Sequence, residues 1–322
     1  MSGIAGIVHF RGAPPDRDQV HQLSAGVAHR GSDDKALIYA PPAAFAHRTF
    51  AVQGSGTPAR LEDERLVVLV DGEADSHRIG RDWPTRGALC LPHQSGGFAT
   101  AVWDRLEHAL WLARDPCGTR PLFYARDGDK FAFSSCMRAL LGIPWISTEI
   151  AIDNLAEYLS FRYTHAPRTL VREIHAVPPG HAVRIDADGI RTERWWNPHW
   201  WTPGEQRPDF QHLVDRVDSA LRRSVDRCTQ TTQPMGLLLS GGLDSAAILH
   251  HATDLLGAAP PTFPVTRAGD KTDESAFAAR VAETYGANHA LIRITNEDLV
   301  ASVDTASLQM GQPLPSPAAL VR

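Results

Sequence analysis

The sequence predicts two domains of different class, an α+β domain built on antiparallel sheet followed by an α/β domain built on parallel sheet. Three observations carry that prediction. The length of 322 residues corresponds to about two domains at roughly 150 residues each. Up to about residue 200 the chain is a succession of short β-branched and aromatic segments separated by turn residues. Beyond it, apolar strands alternate with amphipathic helices, which is the pattern of a doubly wound parallel sheet. The boundary is set at 200, giving domains 1–200 and 201–322.

The elements follow in order. Ile4–Phe10, Ala36–Ala40, Ala44–Val52, Leu66–Val70, Gly97–Trp103, Ala109–Ala113, Leu122–Ala125 and Phe131–Ser134 read as strands. Asp127-Gly128 between the last two is a hairpin turn signal. Asp18–His29 reads as a helix with Val20, Leu23 and Val27 on one face, and Ile152–Phe161 as another with Asp153 as its N-cap. The Pro- and Trp-rich stretch from Arg194 to Pro208 reads as a linker. Its Trp195-Trp196 and Trp200-Trp201 pairs are expected to pack at the domain junction. A helix over Phe210–Cys228, spaced by Leu213, Val217, Leu221 and Val225, opens the second domain. Strand Met235–Leu239, helix Ser245–Leu256, strand Thr262–Thr266, helix Glu274–Tyr285 and strand Ala290–Ile294 complete it.

Composition narrows the possibilities. The chain is 43% hydrophobic and 21% charged, an ordinary globular balance that excludes whole-chain disorder, collagen and coiled coil. Its net charge of −5 offers no basic field for nucleic acid. No apolar run approaches the ~18 residues that a membrane span needs, and the first residues lack a signal sequence's basic start. Four cysteines (Cys90, Cys117, Cys136, Cys228) form neither a disulfide framework nor a zinc spacing. The protein therefore reads as cytoplasmic, with no nucleic-acid or membrane partner, and the scattered histidines, His250-His251 included, as no metal site.

The chemistry is carried by Ser240-Gly241-Gly242-Leu243-Asp244-Ser245, between a strand and a helix. Glycines there let backbone N–H groups approach an anion, and the following helix turns its positive N-terminus to the same place. The hydroxyls of Ser240 and Ser245 add donors. Asp244 would repel phosphate unless Mg²⁺ lies between them. The motif is neither a Walker loop, which needs a lysine, nor a G-x-G-x-x-G fingerprint. It resembles the pyrophosphate loop of the ATP-pyrophosphatase superfamily, whose members cleave ATP between the α- and β-phosphates.

Further motifs come in order along the chain: Met1-Ser-Gly-Ile-Ala-Gly-Ile7, His29-Arg-Gly-Ser-Asp-Asp34, Ala46-His-Arg48, Asp71-Gly-Glu73, Arg114-Asp-Pro-Cys-Gly-Thr-Arg-Pro-Leu122, Phe131-Ala-Phe-Ser-Ser135, Leu155-Ala-Glu-Tyr-Leu-Ser-Phe-Arg-Tyr163 and Val177-Pro-Pro-Gly-His181. With the glycine loop, they resemble glutamine-dependent asparagine synthetase over essentially the whole chain. The resemblance implies an N-terminal Ntn-hydrolase-like glutaminase domain, an αββα sandwich, that releases ammonia from glutamine. It implies a C-terminal ATP-pyrophosphatase domain that binds ATP and Mg²⁺ and adenylates a small-molecule or peptide carboxylate. Leu239, Ser240, Gly241, Gly242, Leu243, Asp244 and Ser245 match the family's nucleotide site, Asp244 a Mg²⁺ ligand, and Val265 a backbone contact to adenine.

The glutaminase positions depart from that family. The nucleophilic cysteine is replaced by Ser2, a weaker nucleophile that a liberated α-amine could still activate. The oxyanion triplet reads Asp71, Gly72, Glu73 where the family has Asn-Gly-Glu. An ionised Asp71 cannot donate, and losing one such donor costs on the order of 3 kcal/mol. The arginine that grips the glutamine carboxylate falls on Thr49, with Arg48 one residue early and so on the opposite strand face. A family aspartate that binds the glutamine amine lies in an insertion this chain lacks. These departures predict a glutaminase-like domain without glutaminase activity. Cys90, Cys117 and Cys136 are expected to be buried small hydrophobes rather than substitute nucleophiles.

Family synthetase domains also run on beyond residue 322, and 311–322 matches a segment just before their second glycine-rich loop. The expectation is a partial parallel sheet with an exposed edge, in a fragment, a split enzyme completed by a second chain, or an inactive nucleotide-binding relic. Three readings follow. The first is an ATP-dependent amide-forming ligase joining ammonia to aspartate. The second is a cyclase resembling β-lactam synthetases and lasso-peptide cyclases, which use an internal amine and dispense with glutamine. The third is the inactive relic.

Overall fold

A computed structural model describes residues 2–50, 59–200, 208–231, 233–267, 269, 273–311 and 313. The described residues fall into two compact units, one of residues up to 198 with those after 304, the other of residues 199–304.

The first unit contains, in chain order, β1 (Gly3–His9), α1 (Arg17–Gly26), β2 (Asp34–Ala40), β3 (Ala43–Thr49), β4 (Arg60–Glu62), β5 (Leu66–Gly72), α2 (Ser76–Arg86), β6 (Phe98–Asp104), β7 (Ala109–Arg114), β8 (Phe123–Asp127), β9 (Lys130–Ser134), α3 (Met137–Leu141), α4 (Ile152–Phe161), β10 (Ile174–Ala176), β11 (His181–Asp186) and β12 (Gly189–Arg194). They form two six-stranded sheets, ordered β10-β8-β9-β1-β3-β2 and β12-β11-β7-β6-β5-β4. The paired strands run antiparallel.

Strand alternation builds the layers. On β1, Ile4 and Val8 enter the core between the sheets, while Ala5 and Ile7 pack under α1 and α3. On β5, Val67 and Leu69 meet the same inter-sheet core, and Leu66, Val68 and Val70 meet Ile79 and Trp83 of α2. The result is helix, sheet, sheet, helix. Both strands read as continuous apolar runs because both of their faces are covered.

The helices have local causes. Asp16 caps α1 by accepting from Asp18 N at 3.0 Å, and Asp75 caps α2 by accepting from His77 N and Arg78 N at 2.9 and 3.0 Å. Helix α2 was not expected from its sequence, since Pro84 and Gly80 lie inside it. Ala151, not Asp153, occupies the N-cap position of α4; Asp153 lies in its first turn, where a carboxylate still favours the helix dipole. Trp195 stacks on Phe98 at 6.1 Å within the first unit, while Trp200 is exposed and Trp201 lies outside the described residues.

The second unit is thinner. α5 (Phe210–Thr229), β13 (Leu237–Leu238), α6 (Leu243–Leu256), β14 (Thr262–Phe263), β15 (Val265–Arg267), α7 (Ser275–Thr284) and β16 (Ile292–Ile294) follow in order, then α8 (Asn296–Met310), whose last residues count with the first unit. β13 pairs parallel with β14, and β15 parallel with β16. The single strand expected over Thr262–Thr266 is broken at Pro264, which has no N–H to give the ladder; its carbonyl instead accepts from Ile292 N at 2.9 Å. The core is small, built on Leu239, Leu249, Ala278 and Ala282. No helix among the described residues is long and apolar enough to cross a membrane.

Candidate functional site

The glycine loop leaves the end of β13 and enters α6. Leu239 is buried and donates its N–H to Phe263 O at 3.3 Å, anchoring the loop to the neighbouring strand. Gly241 takes φ +80, a conformation that side chains disfavour. A Cβ there would stand 2.8 Å from Ala278 N and 3.1 Å from Glu274 O, so α7 packs against the loop only because residue 241 has no side chain.

The loop's hydroxyls are engaged with one another. Ser240 Oγ and Ser245 Oγ lie 3.0 Å apart, Ser240 N donates to Ser245 Oγ at 3.3 Å, and Ser245 Oγ donates to Gly242 O at 3.1 Å. They brace the turn. The donors left for an anion are the first N–H groups of α6, which have no carbonyl behind them in the helix. Leu243 is 85% exposed. Asp244 is exposed and has no hydrogen-bond or ion-pair partner among the described residues. Its carboxylate therefore fits an Mg²⁺ ligand. Val265 begins β15, paired with Ile292, and so follows the strand next to β13.

The first unit brings a second set together. Ser2 and Asp71 continue the inward-facing rows of β1 and β5, and both are buried. Ser2 N donates to Asp71 Oδ1 at 3.2 Å. Arg30 Nη2 lies 2.7 Å from Asp71 Oδ2, and Arg30 Nε donates to Ser2 O at 3.0 Å. Arg30 reaches this corner because the chain leaves α1 through a 3₁₀ turn, Ala28–Arg30. Sequence reasoning missed its role, although it stands in the His29–Asp34 motif.

The remaining predicted positions separate. Gly3 pairs with Arg48, and Asp34 with Thr49, so Arg48 and Thr49 point to opposite faces. Arg48 turns to the helix side, where Nε donates to Ser24 Oγ at 3.2 Å. Gly72 takes φ +124, and Gly97 O stands 2.1 Å from where its Cβ would be. Glu73 is exposed beside Gly96. Asp115 is buried and braces the loop after β7 by accepting from Phe98 N, Thr119 N and Thr119 Oγ1 at 3.1, 2.9 and 2.7 Å.

Two of the three alternative thiols are closed off as expected. Cys90 and Cys136 are buried, and burial, with Asp82 second, pushes the Cys90 thiol up to about 11. Cys117 departs from expectation and is exposed. It lies in the tight turn after β7, where Cys117 N donates to Asp115 Oδ1 at 2.9 Å and leaves its side chain outside.

Comparison with known proteins bears on both sites. Residues 73–196 match the glutamine amidotransferase domain and residues 216–321 the asparagine synthase family. Glutamine-hydrolysing asparagine synthetase 3 of Bacillus subtilis (strain 168) is 27% identical over 351 residues, covering 96% of this chain and 56% of that protein. Asparagine synthetase 1 of the same organism is 26% identical over 347 residues, covering 99% and 54%. The chain is thus similar to glutamine-hydrolysing asparagine synthetases along nearly its whole length. The glutamine amidotransferase match falls within the first unit, and the asparagine synthase match begins in the second. The chain spans about half the length of the curated relatives it matches. Among solved structures, the glutamine phosphoribosylpyrophosphate amidotransferase of B. subtilis complexed with ADP and GMP aligns over 99% of this chain and 91% of that one, at 13% identity and a TM-score of 0.44.

Proposed function

We propose that this chain binds ATP at the glycine loop as part of an ATP-dependent amide-forming ligase of the asparagine-synthetase type, and that its glutaminase-like unit does not hydrolyse glutamine. In the proposed reaction a substrate carboxylate oxygen attacks the α-phosphorus of ATP, the bond to the bridging oxygen breaks, and pyrophosphate leaves. A nitrogen nucleophile then attacks the acyl carbon, loses a proton and displaces AMP. The observation that carries this reading is the loop itself, which Gly241 and the braced serines shape in front of α6. The first N–H groups of α6 would hold the leaving pyrophosphate. Asp244 would hold Mg²⁺, which supplies charge neutralisation between the phosphates.

A second reading of the nitrogen source is favoured by the Arg30–Asp71–Ser2 cluster. An ion pair at the position where a developing oxyanion needs neutral donors argues against ammonia from glutamine. It favours either free ammonia with aspartate or an amine within the substrate itself, as in the cyclases that the sequence resembles.

The test measures pyrophosphate release from Mg-ATP. Release with aspartate and ammonia but not glutamine supports the synthetase reading. Release only with a substrate that carries its own amine supports cyclisation. ATP binding without any release, including in the presence of a candidate second chain, leaves a nucleotide-binding relic. Asp244→Ala is expected to weaken Mg-ATP binding, and unchanged affinity in that variant would remove the loop assignment.

A further inference from the structure

Helix α5 has two opposed faces. One is turned to α6: Asp218 Oδ1 meets His251 Nε2 at 3.1 Å, Arg222 pairs with Asp254, and Val225 is buried. At about 100° per residue, Leu213, Arg216, Ala220 and Arg223 fall on the far side. There an open groove of about 660 Å³ is lined by Leu213, Asp215, Arg216, Val217, Ala220 and Arg223, among others. Val217 is 67% exposed and Leu213 38%. Arg216 and Arg223 have no ion-pair partner among the described residues, and Asp215 accepts only from the side-chain amide of its neighbour Gln211, at 2.9 Å.

Beside this apolar strip runs a polar row: His212, Asp215, Ser219, Arg223, Asp226. Its spacings are three, four, four and three residues, so the row reads the same in both directions about Ser219. Its charges do not: a basic or protonatable group on one side of Ser219 stands at the same distance as an acidic group on the other. Such a row is complementary to its own antiparallel copy. A two-fold axis at Ser219 sets Asp215 against Arg223 of a second copy, and His212 against Asp226, each twice, because an isologous interface repeats every contact. The same rotation keeps the row on one flank and lays the two strips of Leu213, Val217 and Ala220 together.

We infer that this face of α5 is a self-association surface, pairing antiparallel with α5 of a second copy of the chain about an axis at Ser219. The contact is one helix pair, so the dimer is weak and salt-sensitive; its charge pairs lie at a rim where ions screen them. The inference is independent of what the glycine loop does.

Sedimentation equilibrium of the full chain tests it. A concentration-dependent dimer is expected, weakened by salt. Arg223→Asp or Asp215→Arg alone should raise the dimer dissociation constant by about tenfold or more, and Asp215→Arg with Arg223→Asp should recover it, because the swap restores both pairs. A Ser219→Cys variant gives a readout that tolerates modest destabilisation: mild oxidation should yield a dimer linked 219 to 219 by peptide mapping. A chain that stays monomeric at every concentration overturns the inference. So does a dimer that ignores the charge variants, or one whose double swap fails to recover while Ser219→Cys gives no 219–219 link.

Discussion

Arg30 Nη2 stands 2.7 Å from Asp71 Oδ2, and the Asp71 side chain is wholly excluded from solvent. Under the proposed reading, in which Asp71 stands in place of an oxyanion donor, the residue also has a structural role. It recruits a guanidinium and the Ser2 N–H into a closed cluster that joins the ends of β1 and β5, one strand from each sheet. In packing terms the arrangement is a buried ion pair with both partners satisfied.

Removing one partner should consequently cost stability. Asp71→Ala leaves the nearly buried Arg30 without its counter-charge, and breaking such a pair typically costs about 3 kcal/mol or more. Urea denaturation followed by far-UV circular dichroism measures it. Asp71→Asn keeps the shape and should cost less. If Asp71→Ala unfolds at the wild-type midpoint, the cluster is a surface-like pair of no energetic weight.

The same cluster sets what reconversion needs. Under the proposed assignment, in which Asp71 opposes the oxyanion and position 49 lacks the arginine that would hold glutamine, Ser2→Cys alone is expected to give no glutamate release from glutamine. Ser2→Cys, Asp71→Asn and Thr49→Arg together should raise release above background in a coupled glutamate assay. Release from Ser2→Cys alone at a level equal to the triple variant would show that Asp71 and Thr49 are not defects.

His47 links packing to pH. It lies on the inward row of β3, 1% exposed, and burial first, then Arg60, lower its pKa from 6.5 to about 4. The folded state thus holds a neutral imidazole while the unfolded chain protonates near pH 6.5, so between those values the unfolded state binds more protons. The contribution is fully present above about pH 6.5 and is lost as pH falls toward 4, by about 3 kcal/mol from this residue. The difference in unfolding free energy between wild type and His47→Leu, measured from pH 7.5 down to 4.5, should shrink toward acid. A difference independent of pH would mean that His47 titrates alike in both states.

Much of this was legible in the sequence, for reasons that can be stated. β1, β5 and β6 were readable because their two faces are both covered and most of their residues are apolar. The glycine loop was readable because its glycines and serines answer local demands of a strand–turn–helix junction, the positive φ of Gly241 and the bracing hydroxyls of Ser240 and Ser245. The opposite facing of Arg48 and Thr49 followed from strand alternation alone. What escaped needed partners distant in sequence. Arg30 meets Asp71 across 41 residues, which no local pattern encodes. Helix α2 was hidden by Pro84, which sits in its last turn, and its formation depends on Ile79 and Trp83 packing on β5. Cys117 was misjudged because composition predicts a buried thiol, whereas the Asp115 turn turns it outward.

The cysteines offer a direct check of exposure. At pH 8 a thiol held near 11 is ionised in only about one molecule in a thousand, and the thiolate is the reactive form. Iodoacetamide should therefore modify Cys117 in the native protein while sparing Cys90, which becomes reactive only in denaturant. Peptide mass mapping after a short pulse reads this. Native labelling of Cys90 as fast as Cys117 would contradict its burial beside α2.

Gly241 gives the sharpest test of how the loop is built. Gly241→Ala must hold φ +80 with a methyl 2.8 Å from Ala278 N, so either the loop or α7 has to move. Strain of this kind costs about 1–3 kcal/mol. Gly257 supplies the control: it takes φ +74 at the end of α6, but a Cβ there meets nothing within 4 Å. Gly257→Ala should thus carry only the conformational penalty of about 1 kcal/mol and leave nucleotide affinity unchanged. Gly241→Ala should destabilise more and, under the proposed function, also weaken ATP binding, because displacing the loop displaces the N–H groups of α6 that would face the phosphates. Thermal denaturation with and without Mg-ATP separates the two effects. Equal melting shifts in the two variants, with equal stabilisation by nucleotide, would mean that the contact between the loop and α7 does not shape the site.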